Sequence, residues 1–197
     1  VIHEGIDTEI VKPDAGAWVE INGQRLQAGD EIVTYVARNL EPYRGFHTFM
    51  RSLPKLQALR PNAKVIIVGG DEVSYGKRLP EGQTYRQRYC AEVQDRVDWS
   101  RVFSVGKLPY ADYLKVLQIS AAHVYLTYPF VLSWSMLEAM AAGCLLVASD
   151  TAPVKEVIED GQNGLLVDSF DHDRLANKIT EVLANPEIHP PLRNSAR

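Results

Sequence analysis

The segment Ala37-Arg-Asn-Leu-Glu-Pro-Tyr-Arg-Gly45 sets two guanidinium groups six residues apart around a proline-containing turn. Arg38 and Arg44 carry permanent charge on rigid donor forks, a geometry that suits phosphate oxygens. Gly45 opens the next element without a side chain, so an anion could approach backbone N–H groups there. A solvated loop, with one arginine paired to Glu41, fits the same residues. The second such segment is Tyr128-Pro-Phe-Val-Leu-Ser-Trp-Ser-Met-Leu-Glu-Ala-Met-Ala-Ala-Gly143. Its Ser135-Met-Leu-Glu138 stretch matches a capping box, in which serine and glutamate satisfy each other's backbone N–H groups. In the functional alternative, the Glu138 carboxylate grips a ribose diol. Amides around Ser133 to Met136 would then meet a phosphate. Gly69-Gly70 either permits a tight turn or lets a sugar ring approach the backbone.

Other chemistries lack their residues. There is no Gly-x-Gly-x-x-Gly fingerprint, no phosphate-loop lysine motif and no His-Glu-x-x-His or paired cysteine set for zinc. Ser133 and Ser135 lack a nucleophile-elbow sequence. His47 and His123 read as packed or hydrogen-bonded residues rather than bases, and Cys90 and Cys144 as apolar thiols. A net charge of -4, from 21 basic and 25 acidic residues, gives no electrostatic case for nucleic acid. No apolar run reaches the roughly 20 residues of a spanning helix.

The elements that must position these residues alternate. Trp18 to Leu26, with Asn22-Gly23 at its centre, predicts a small hairpin with a type I′ turn. From Ile32 onward, short apolar β-branched runs alternate with helical spacing. Strands are predicted at 32–37, 63–69, 101–104, 123–127, 145–149 and 165–167, and helices at 45–59, 84–97, 110–120, 135–142, 153–159 and 171–183. Such alternation implies a parallel α/β sheet of about six strands, with helices on both faces. Ligands of such sheets bind at the strands' carboxyl ends, near a switch in strand order. Residues 1–30 are expected to be a connection plus the hairpin, and 31–197 the main domain. The chain begins at Val1 without an initiator methionine, as an excised piece would.

Taken together, these segments resemble the C-terminal domain of the group 1 (family 4-like) retaining glycosyltransferases, one Rossmann-like half of a GT-B fold. The resemblance runs through Glu4-Gly-Ile-Asp-Thr8, Arg38 to Gly45, Val68-Gly-Gly70, Leu137-Glu-Ala-Met-Ala-Ala-Gly143 and Asp160-Gly-Gln-Asn-Gly-Leu-Leu-Val167. It implies that Arg38 and Arg44 clamp a donor diphosphate, Arg44 standing where the family usually has lysine. Gly45 and the amides at Trp134 and Ser135 join them. Glu138 matches the second glutamate of the family's Glu-x7-Glu motif and would hold the ribose. Lys107 and Leu108 would face the base, and Gly70, Phe130, Leu132 and Ser133 would lie near the sugar. The family's first motif glutamate falls at Phe130, and Ser133 replaces a usual glycine.

The activity implied by the resemblance is transfer of a sugar, hexosyltransferase-like and with retention, from a nucleoside diphosphate sugar. The acceptor (a glycan, lipid or small molecule) would sit on a preceding N-terminal domain. No catalytic residue is assigned within this chain, which is expected to turn over little alone. The resemblance further implies no metal and no separate cofactor. It points to a cytoplasmic setting, or one peripheral to the inner face of a membrane. A degenerate nucleotide-binding module and a nucleotide-sugar epimerase are the rival readings.

Overall fold

The computed structural model describes residues 5–129 and 132–186. Strands β1 (Trp18–Ile21) and β2 (Gln24–Gln27) form the antiparallel hairpin. Asn22 and Gly23 adopt φ values of 52° and 73°, as a type I′ turn requires. The rest alternates as predicted: β3 (Ile32–Asn39), α1 (Phe46–Leu59), β4 (Lys64–Gly70), α2 (Tyr85–Val93), β5 (Val102–Gly106), α3 (Tyr110–Gln118), β6 (Ala122–Tyr125), α4 (Trp134–Ala141), β7 (Leu146–Ser149), α5 (Ala152–Lys155), β8 (Leu165–Val167) and α6 (His172–Ala184).

All pairings in the six-stranded sheet are parallel, in the order β5-β4-β3-β6-β7-β8. Continuous apolar runs such as Val65-Ile-Ile-Val68 are buried on both faces, as a helix-covered parallel sheet demands. Helices α1, α2 and α6 close one face, where Tyr35 stacks on Phe49 with ring centroids 4.8 Å apart. Helices α3, α4 and α5 close the other, and the hairpin extends that layer by seating Ala17 and Leu26 beside Ile32, Phe103 and Val116. Strand order reverses between β3 and β6, so the carboxyl ends of those two strands frame a crevice.

Two helices are shorter than the periodicity implies. Helix α2 ends at Val93 and passes into a 3₁₀ turn at Gln94–Arg96, where the Trp99 indole takes the Gln94 carbonyl at 3.1 Å. Helix α5 stops at Lys155, because side chains capture the backbone beyond it. Asn163 Oδ1 accepts from the Glu159 amide and Asp160 Oδ1 from the Leu166 amide, each at 2.8 Å. Among the described residues no helix is long and apolar enough to cross a membrane.

His123 lies fully buried at the base of the sheet, its Nδ1 2.8 Å from Thr34 Oγ1, which meets Ser120 Oγ at 2.7 Å. Its Nε2 has no partner among the described residues, and burial lowers the imidazole pKa to about 4. The unfolded chain, with an ordinary histidine near 6.5, binds the proton first as pH falls. Stability supplied by neutral His123 is therefore complete above pH 6.5 and is lost on descending to 4, by about 3 kcal/mol. Urea midpoints measured across that range should fall accordingly, and His123→Leu should flatten this part of the profile. An unchanged slope in that variant would refute the assignment.

Candidate functional site

The site begins with an irregularity. Val36 pairs with Val68 but Asn39 with Gly70, so β3 carries one residue more than β4. This bulge at Ala37–Arg38 turns the exposed Arg38 outward at the carboxyl end of the sheet. Gly69 makes it possible, since a Cβ there would lie 2.6 Å from the Ala37 carbonyl oxygen and 2.7 Å from Leu40 Cδ2. A cleft of about 340 Å³ opens beside Arg38, walled by Lys107, Leu108 and Tyr113.

Glu41 does not pair with either arginine. Its buried carboxylate, 1% exposed, accepts backbone N–H groups from Ser74 (3.2 Å), Tyr75 (3.1 Å) and Gly76 (2.8 Å). One acid thus folds the loop after β4. That loop brings the Tyr75 ring to 5.6 Å from the Arg44 guanidinium. Arg44 also donates to Thr127 Oγ1 at 3.3 Å and faces the Tyr125 phenol, so it spans from the β3 loop to the end of β6.

Packing by itself requires a glycine at position 45. Its φ is +68°, and a Cβ there would fall 2.3 Å from Leu126 Cβ. Its own amide donates to the Pro42 carbonyl at 2.9 Å. Gly70 has a crowded α-carbon: its missing Cβ is the space taken by Lys107 Cε, the Asn39 side-chain amide and Glu72 Oε2. Lys107 Nζ meets Glu72 at 2.6 Å across that point.

The capping box predicted at Ser135 and Glu138 is not formed. Helix α4 starts one residue earlier, with Ser133 as its cap. The Ser133 amide donates to Tyr125 Oη at 2.9 Å, the Met136 amide to the Ser133 carbonyl at 3.0 Å, and the Ser135 amide to Ser133 Oγ at a long 3.4 Å. A phosphate at this helix start would therefore exchange with the Ser135 contact. Trp134 is 60% exposed at the first turn, and Leu132 packs under α4. Phe130 lies outside the described residues.

Glu138 points instead toward α3. It is 8% exposed and accepts from Tyr110 (2.9 Å, on Oε1) and Tyr113 (2.8 Å, on Oε2). Burial first, then the bond to Glu138, pushes the Tyr110 phenol up to about 12; burial and the Glu138 charge raise Tyr113 as well. Both phenols are donors at neutral pH.

Through Tyr113 the carboxylate joins the wall that Arg38 and Lys107 share, while Arg44 faces the Tyr125 phenol, which accepts from the Ser133 amide at the α4 start. Helix α4 links the two, carrying Ser133 at its head and Glu138 one turn in. Sequence reasoning missed Tyr110, Tyr113, Tyr125 and Tyr75. A tyrosine pair at i, i+3 opening α3 was the available signal, but nothing local says which acid it serves. His47 is flanked by the rings of Tyr89 and Phe170 and His123 is buried near the start of β6, away from the strands' carboxyl ends, so neither reaches the crevice as a base. Among the described residues no group of three His, Cys, Asp or Glu side chains could hold a metal. A larger cavity, about 690 Å³, lies between β1 and α3 and shares only Leu108 with these residues.

A family model described as glycosyl transferases group 1 matches residues 18–197. A GDP-mannose-dependent alpha-(1-6)-phosphatidylinositol monomannoside mannosyltransferase of Mycobacterium tuberculosis is 26% identical over 182 residues, 91% of this chain and 45% of that protein. The chain thus spans a little under half of this relative. Among solved structures, the C-terminal domain of the group 1 glycosyl transferase LpcC from Francisella tularensis superposes with a TM-score of 0.78. It is 15% identical, and the match covers 98% of this chain and 94% of that one. HepE from Anabaena, in complex with UDP-glucose, gives 0.71 at 21% identity, over 85% of this chain and 43% of that one. Both structures share the fold.

Proposed function

Because the chain belongs to the group 1 glycosyl transferases, we propose that its crevice holds the nucleoside diphosphate part of a sugar donor, for transfer with retention to an acceptor bound elsewhere on the whole protein. The observation that carries this reading is the meeting of unlike groups at the strand-order switch. Arg38, at the end of β3, and Lys107 line a cleft whose wall includes Tyr113, and Tyr113 holds the Glu138 carboxylate. A nucleotide is the ligand whose parts match that wall: a base near Lys107 and Leu108, a ribose at Glu138, and phosphates at Arg38, Arg44 and Ser135. As the sugar leaves, negative charge grows on the diphosphate, and fixed guanidinium groups and a helix-start amide stabilise it without reorganising. In this reading no metal is required. The mannosyltransferase relative is named for GDP-mannose and HepE was solved with UDP-glucose, so both bases belong in the test.

With Phe130 where a motif glutamate is usual, we place this chain in a subgroup that recognises its sugar differently. The competing reading of a non-catalytic nucleotide binder rests on the same residue. Calorimetric titration with UDP, GDP and ADP, each beside its 2′,3′-dideoxy form and inorganic pyrophosphate, tests the assignment. One nucleotide should bind more tightly than pyrophosphate. Loss of both ribose hydroxyls should weaken it about 10- to 100-fold, the scale of hydrogen bonds to a charged, part-buried acceptor. Equal binding of nucleotide and pyrophosphate would defeat the proposal.

A further inference from the structure

The carboxylate assigned to the ribose already has both oxygens engaged, by two phenols in different settings. Tyr113 is packed into the layer beneath α4 and forms part of the cleft wall. Tyr110 is the first residue of α3, and it stands 52% exposed. Its hydroxyl reaches Oε1 of a carboxylate that is itself 8% exposed. A carboxylate so far removed from water loses stability without a donor, and a phenol supplies one. A ribose hydroxyl is the same kind of donor, and Tyr110, unlike the cleft-lining Tyr113, is open to solvent.

We propose that Tyr110 sets the affinity and ribose selectivity of this site as an exchangeable stand-in: its hydroxyl satisfies Glu138 in the empty cleft, and a ribose hydroxyl replaces it when nucleotide enters. The inference rests on the assignment of Glu138 to the ribose. Tyr113, held by packing, is the fixed partner that keeps the carboxylate aimed. Exposure decides which phenol yields, because a surface ring can rotate away while a packed one cannot without opening a cavity. The exchange lowers affinity, since a ligand binding only the state with Tyr110 displaced is weakened by that state's fractional population. It also narrows the preference for ribonucleotides, because a dideoxy form leaves Tyr110 on Oε1 and undergoes no exchange.

A fixed prop would behave in the opposite sense, so the sign of one measurement separates the two roles. UDP, GDP and ADP and their 2′,3′-dideoxy forms are titrated against wild type, Tyr110→Phe and Tyr113→Phe, with circular dichroism recording the fold. With its competitor removed, Tyr110→Phe should bind the preferred ribonucleotide about fivefold more tightly and the dideoxy form unchanged, widening the ratio between them. Tyr113→Phe should narrow that ratio. A ratio unchanged or narrowed in Tyr110→Phe overturns the exchange while the wild-type preference keeps the ribose assignment intact. No preference for the ribonucleotide in wild type removes the ribose assignment itself, and the exchange with it.

Discussion

Arg44→Ala is expected to weaken nucleoside diphosphate binding about 10- to 100-fold, and Arg38→Ala by a similar factor, with nucleosides lacking phosphate unaffected. Each substitution removes charge-assisted bonds worth about 1.5–3 kcal/mol to an anion, and 1.4 kcal/mol is a factor of ten. The two arginines should differ under conservative replacement. Arg44 bridges Thr127 and Tyr75, so its planar fork is used twice and Arg44→Lys should recover little. Arg38 is exposed at the bulge, where charge matters more than shape, and Arg38→Lys should retain most of the affinity. Calorimetry with the preferred nucleotide and its parent nucleoside reads both effects. If both alanine variants bound the diphosphate like wild type, the phosphate clamp would be wrong.

The largest effect on stability is expected from Gly45→Ala, about 3 kcal/mol. A left-handed backbone costs an L-residue about 1–2 kcal/mol, and overfilling a packed core about 1–3 kcal/mol. Both apply, because φ is +68° and the new methyl would enter the volume of Leu126. The damage should spread to binding, since Leu126 precedes Thr127 and position 45 follows Arg44. Urea denaturation of Gly45→Ala, Leu126→Ala and the double variant measures it. Relief of the clash by Leu126→Ala should leave the double variant less unstable than the two losses added. Strict additivity would show that backbone conformation alone requires glycine there.

Much of this molecule can be read from its letters. The hairpin follows from Asn22-Gly23, because few other pairs accept two positive φ values. The six parallel strands follow from apolar runs too continuous for a half-exposed sheet. Placing Arg38 and Arg44 at the strand-order switch needed only the rule that parallel sheets bind ligands at their carboxyl ends. What could not be read depends on partners far along the chain. Ser135 and Glu138 have capping-box spacing, yet Ser133 caps the helix and the Glu138 carboxylate is drawn away by phenols 25 and 28 residues earlier. Glu41 sits between two arginines in sequence and serves amides more than 30 residues downstream. A local pattern shows what a side chain could satisfy; packing decides which neighbour arrives.

The Glu41 carboxylate has a consequence for exchange of parts between relatives. It stands between the two arginines yet shapes residues 74–76, so the β3 turn and the β4 loop are not separate grafts. A chimera receiving a foreign 71–77 stretch would keep an acid cut to fit another backbone, with Tyr75 no longer delivered to Arg44. Transplanting both stretches together should conserve nucleotide affinity, whereas either alone should erode it.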